Sequence, residues 1–134
     1  MRLSEIYRKI LIESLKFKTK SNGEFIEYTF SDNSEYIGQI NLRLKKGWNQ
    51  LHIGIDTSKQ GMGYSYKMIQ LVIDNVDYIS IPEGRIINDL VYKIIKKFES
   101  DSKYEVWKTK FDEWIISNKK KTREELEGIF NWNI

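Results

Sequence analysis

Apolar residues recur along the chain at two spacings, and the changes between them mark its elements. Over 4–17, Ile6, Ile10, Leu11 and Leu15 fall at helical spacing with charges between them, and Ser4 is placed to cap the first turn. This predicts an amphipathic helix. Residues 18–23 (Lys-Thr-Lys-Ser-Asn-Gly) are polar and predict a turn. The spacing then drops to two. Ile26, Tyr28 and Phe30 alternate with Glu27 and Thr29, then Gly38, Ile40, Leu42 and Leu44 alternate over 36–44, and Leu51, Ile53 and Ile55 follow. Asp32-Asn33-Ser34 and Lys46-Gly47 separate these runs, which predicts three neighbouring antiparallel strands.

From Tyr64 the period returns to that of a helix, through Met68, Ile69, Leu71 and Val72, ending near Val76. Residues 77–81 predict a short strand, parallel to the strand at 51–55 because a helix joins them. Pro82-Glu83-Gly84 breaks the chain before a helix over 85–98, with Ile86, Leu90, Val91, Ile94, Ile95 and Phe98 inward. Residues 104–108 and 111–117 are aromatic and β-branched and predict a closing pair of strands. Thr122-Arg123-Glu124-Glu125 is a capping box that opens a last helix through Trp132. The pattern is mixed α/β (α+β), a single domain over 1–134 in which 118–134 is a Lys-rich loop and short helix.

Composition narrows the chemistry. A length of 134 residues allows one real core. No apolar run nears the ~18 residues that span a membrane, and charges at Arg2 and Glu5 interrupt a would-be signal peptide, so the expectation is a cytoplasmic protein with no membrane partner. The absence of cysteine removes disulfides, thiolate metal sites and a cysteine nucleophile. His52 is the single histidine, which argues against a His-based metal site or a catalytic triad and leaves a lone base. The net charge of +3 is too mild to imply nucleic acid. Alanine is absent and Ile, Lys and Asn are abundant, as AT-rich codon usage produces.

The most distinctive stretch is 51–74, and within it Gln60-Gly61-Met62-Gly63-Tyr64-Ser65. A strand, a glycine-bearing turn without a carboxylate and a helix leave the first helical N–H groups open to an anion. Glycine at 61 and 63 allows close backbone approach, and the helix dipole adds roughly 0.3–1 kcal/mol in favour of negative charge. A dinucleotide fingerprint requires glycine where Tyr66 stands, and no Gly-Lys-Ser/Thr makes a P-loop.

Gln60, Gly63 and Ser65 match Gln/Arg-x-x-Gly-x-Gly/Ala, with serine at the last position. This resembles the acetyl-coenzyme A pyrophosphate loop of the GCN5-related N-acetyltransferases. Residues 36–43 and 51–56 look like that family's third and fourth strands, and the similarity covers roughly 28–117. The resemblance implies an acyl-CoA N-acyltransferase fold, a mixed central sheet of six to seven strands flanked by helices. It implies acetyl-CoA as co-substrate, held by Gln60, Gly61, Met62, Gly63, Tyr64 and Ser65. It also implies an acyl-pantetheine arm paired along Ile53, Gly54 and Ile55, where a backbone N–H polarises the thioester.

For proton transfer, the resemblance points to Asn88 as the asparagine that opens the helix after the fifth strand. The tyrosine expected seven residues later is Ile95. Tyr92 shares a helix face with Asn88 and is the candidate acid. His52 is the candidate base, with Asp56, Glu27 and Asn41 as further candidate substrate contacts. Trp48, Trp107, Trp114 and Trp132 are read mainly as core, and Lys119-Lys120-Lys121 as a solvated loop or a CoA 3′-phosphate contact. The function expected is acetyl transfer from acetyl-CoA to an amine of a small molecule, peptide or protein. The alternative is a catalytically silent binding or inhibitor protein on the same scaffold, a phage-encoded one included. The acceptor and oligomeric state, a homodimer included, stay open.

Overall fold

The computed structural model describes residues 15–45, 48–55, 63–82, 89–110 and 112–132, and at 45, 48–55, 82, 89–90 and 129–132 the backbone alone. The chain is mixed α and β. In order it runs β1 (Leu15–Asn22), β2 (Phe25–Asp32), β3 (Glu35–Lys45), β4 (Trp48–Ile55), α1 (Tyr64–Val76), β5 (Tyr78–Pro82), α2 (Asp89–Glu99), β6 (Glu105–Lys108), β7 (Glu113–Ser117) and α3 (Arg123–Trp132). The strands lie in the order β1-β2-β3-β4-β5-β7-β6. Two antiparallel wings make up this sheet, β1 to β4 and β5-β7-β6, and they meet along the parallel pair β4 and β5.

The first strand corrects the sequence reading. Leu15 and Phe17, assigned to a helix over 4–17, lie in β1, and 18–22, assigned to a turn, continue it. Among the described residues four strands, not three, therefore precede α1. Lys16, Lys18 and Lys20 alternate with Leu15, Phe17 and Thr19, which is strand periodicity. Phe17 packs its ring 5.5 Å from Tyr28 and 5.8 Å from Phe30. The rest of the expected first helix, 4–14, and the Lys46-Gly47 turn lie outside the described residues.

The β2–β3 turn falls on Asn33 and Ser34, with φ of 50° and 67°. Asparagine tolerates this left-handed region, and two such residues give the twist a tight hairpin needs. One extra residue on β3 shifts the register between Phe30 and Ser31.

α1 buries Tyr64, Met68, Ile69, Val72 and Ile73, one stripe at helical spacing. α2 contributes Ile94, Ile95 and Phe98 to the same core, together with Tyr28, Phe30, Ile40, Leu42, Ile79 and Ile116. The rings of Tyr66 of α1 and Phe98 of α2 pack at a tilt of 38° with centres 4.4 Å apart, and Tyr104 meets Phe98 edge-on at 4.9 Å. A smaller cluster of Tyr78, Trp107, Ile115 and Leu126 joins the opposite face of the β5-β7-β6 wing to α3. α3 starts with the expected capping box: Glu125 N–H donates to Thr122 Oγ1 at 3.1 Å, and Glu125 Oε1 accepts from Thr122 N–H at 3.4 Å. Among the described residues no helix is long and apolar enough to cross a membrane.

Candidate active site

The site grows from the meeting of the two wings. β4 and β5 pair at Gln50 and Ser80, and no further pair forms between them among the described residues. Beyond that point each strand stays bonded to its outer neighbour. β4 pairs with β3 as far as Ile55 opposite Gly38, and β5 pairs with β7 as far as Pro82 opposite Glu113. The parallel ladder thus stops while both strands continue. Alternate backbone groups along 51–55 face the β5 side. Ile53, Gly54 and Ile55 belong to that stretch.

The next described element along the chain is α1. Gly63 caps it in the left-handed region, φ 82° and ψ 5°, and no side chain bonds to the cap. The first turn carries no acidic residue. Helix N-terminal amide groups without a side-chain acceptor are an anion-binding arrangement. Gln60, Gly61, Met62 and Asp56 lie outside the described residues. Ser65 is half-buried. Tyr64 differs from a solvent-facing loop residue: its ring is in the core and its hydroxyl donates to Asp32 Oδ2 at 2.7 Å. Burial first, then the hydrogen bond to Asp32 and its charge, push the Tyr64 hydroxyl up to about 12. Only the backbone of Tyr64 is left to meet a ligand.

Strand registers collect three of the candidate contacts. Glu27 lies opposite Asn41, and Asn41 opposite His52, so one row crosses β2, β3 and β4. This row lies on the face away from Ile40 and Leu42, which belong to the main core. Lys18, Thr29, Gln39 and Gly54 form the next row on that face. Lys16, Lys18, Thr29, Ser31 and Tyr36 border an open cleft of about 660 Å³ at its far side. Sequence alternation identifies the face, but the cleft depends on β1, which the sequence reading missed.

The remaining candidates are on α2 and just before it. Asn88 lies outside the described residues. Ile95, where the acid of the resembled family would stand, is a core residue only 1% exposed. Tyr92 is on the exposed side of the helix at 36%.

Glu113, which sequence reasoning did not single out, is 8% exposed at the start of β7, beside the end of β5. Its N–H donates to Thr109 Oγ1 at 3.3 Å, and its carbonyl accepts from Thr109 N–H at 2.8 Å.

The lysine run has structural partners. Lys119 Nζ donates to the Ser102 carbonyl at 2.6 Å, Lys120 meets Asp77 at 3.9 Å, and Lys121 sits 5.8 Å from the Tyr78 ring centre. Trp107 is buried under the Arg123 guanidinium, 5.2 Å from its ring centre, and Trp114 is half-buried. The side chains of Trp48 and Trp132 lie outside the description. Among the described residues no group of three or more His, Asp or Glu is placed to hold a metal ion. No family model matches the chain, and no curated protein matches it.

Proposed function

We propose that the chain binds acetyl-coenzyme A and transfers its acetyl group to an amine, as its resemblance to the GCN5-related N-acetyltransferases implies. The observation that carries this reading is the single-pair β4–β5 ladder, with α1, whose Gly63 cap carries no side-chain hydrogen bond, the next described element. An extended pantetheine arm needs a strand edge to pair with, and a pyrophosphate needs convergent N–H donors. The end of β4 and the start of α1, in that order, support this reading.

The reaction is direct attack of the amine nitrogen on the thioester carbonyl carbon, with cleavage of the carbon–sulfur bond. A backbone N–H among Ile53, Gly54 and Ile55 stabilises the developing oxyanion. His52 is the candidate acceptor of the amine's proton, and Tyr92 the candidate donor to the leaving thiolate. CoA supplies the activated acyl group.

Acetyl-CoA in a thermal-shift experiment tests the binding step. Free ligand at 100 times its Kd stabilises a protein by about 2.7 kcal/mol. No shift at millimolar acetyl-CoA refutes the reading. A second reading, a silent binder on the same scaffold, is favoured by Ile95, a core aliphatic at the position of the expected acid. Thiol release in the presence of an amine panel separates it from the enzyme.

A further inference from the structure

The cleft on the polar face of β1, β2 and β3 has no part in the acetyl-transfer reading. Its volume of about 660 Å³ is in the range of small-molecule sites, roughly 300–1,000 Å³. Lys16, Lys18, Thr29, Ser31, Ser34 and Tyr36 line it, and no carboxylate is among its described lining residues. Strand pairing explains why these groups converge. Lys18 lies opposite Thr29, Lys16 opposite Ser31, and Ser31 opposite Tyr36, so two adjacent rows share one face. The left-handed pair Asn33 and Ser34 turns the chain back at the end of these rows.

The charges around the cleft are sorted by face. Lys16 and Lys18 are exposed and two positions apart on β1, which sets their Cα atoms roughly 7 Å apart. Asp32 and Glu35, the carboxylates of the β2–β3 hairpin, pair with each other, and Asp32 is bound by Tyr64 on the α1 side. Glu27 is on the cleft's own face but one row further on, opposite Lys20. Among the described residues no ion pair joins Lys16 or Lys18 to a carboxylate. Two ammonium groups at this spacing favour a dianion, and a phosphate monoester carries a charge of about −1.5 to −2 at neutral pH. The Thr29, Ser31 and Ser34 hydroxyls both donate and accept, which suits phosphate oxygens and ligand hydroxyls alike. Tyr36, an exposed aromatic, adds a ring at the rim.

We propose that this cleft binds the phosphomonoester of a small polyhydroxylated molecule, with Lys16 and Lys18 on the phosphate and Thr29, Ser31 and Tyr36 on the hydroxylated body. The inference goes beyond the acetyl-transfer reading and does not rest on it. Binding alone is assigned to the site, with no bond made or broken there.

Titration calorimetry of the whole chain with glucose 6-phosphate, glucose, glucuronate and inorganic phosphate tests this. Glucose 6-phosphate should bind at least about tenfold more tightly than any of the other three. The double variant Lys16→Gln/Lys18→Gln should weaken it by at least about tenfold. Lys93→Gln/Lys96→Gln removes the same charge from exposed positions of α2 and should leave it unchanged. All four lysines are exposed, so neither pair disturbs the core. Tyr36→Ala should reduce the preference for glucose 6-phosphate over inorganic phosphate without weakening inorganic phosphate itself. No binding of glucose 6-phosphate at millimolar concentration overturns the inference. Equal weakening by the two lysine pairs overturns it as well, since the attraction is then that of net charge alone. Glucuronate that binds as tightly as glucose 6-phosphate overturns the phosphate assignment. Acetyl-CoA also carries a phosphomonoester and should not compete for the cleft. Competition that disappears in Lys16→Gln/Lys18→Gln would assign these lysines to CoA and overturn the inference.

Discussion

The Tyr64 hydroxyl donates to Asp32 Oδ2 at 2.7 Å, which ties the first turn of α1 to the end of β2. Both residues are buried, at 4% exposure each. The bond holds the start of α1 against the antiparallel wing, close to where the candidate cofactor loop ends. Tyr64→Phe removes a hydrogen bond to a charged group and should cost about 1.5–3 kcal/mol in denaturant unfolding. Unchanged stability would show that water or another donor replaces the hydroxyl.

Alkaline pH should act through the same contact. The Tyr64 and Tyr104 hydroxyls are both pushed up to about 12, in each case by burial first, and Tyr66 is raised further by burial and by Asp101. A folded-state pKa above the unfolded value of about 10 means that the stability contribution is complete below pH ~10. It is lost as pH rises through the folded pKa. The protein should therefore lose stability between about pH 10 and 12, with tyrosine ionisation and loss of near-ultraviolet circular dichroism in step. Free ionisation near pH 10 with the fold intact would contradict this.

Gly63 has φ 82°, where a side chain other than that of Asn or Gly is strained. Gly63→Val should cost about 1–2 kcal/mol of stability and abolish the acetyl-CoA-dependent thermal shift. Retention of that shift would place the pyrophosphate elsewhere.

Leu126 of α3 is fully buried against Tyr78, Trp107 and Ile115. Leu126→Ala should cost about 2–5 kcal/mol, measured by chemical denaturation. Thr122→Ala, which removes the cap of the same helix, should cost about 0.5–2 kcal/mol. By contrast Lys120→Ala removes a 3.9 Å ion pair in which the lysine side chain is 67% exposed, so it should change stability by less than about 1 kcal/mol.

Legibility in the sequence followed the range of the interactions involved. α1 spans Tyr64–Val76 as its spacing predicts, because its buried stripe is written locally. β1 was not legible: its lysines read as a polar turn, and only the pairing of Phe17 with Phe30 shows them to be one side of a strand. Alternation placed Glu27, Asn41 and His52 outside the core, whereas their common row required the register. Tyr64 was legible as the start of the helix, but its bond to Asp32 was not, because that partner lies 32 positions earlier. Glu113 gave no signal, since its burial comes from pairing with Pro82, 31 positions away in sequence.

The strand order also constrains how the chain assembles. β7 is the last strand in sequence, yet it lies between β5 and β6. Until residues 113–117 are in place, β5 has an open edge and β6 has no strand partner among the described residues. The β1–β4 meander needs only consecutive hairpins, whereas the pairing of Tyr78 with Ser117 must close a far longer loop. A chain truncated before Glu113 should therefore keep the meander and expose the apolar edge around Ile79 and Ile81, a ready template for self-association.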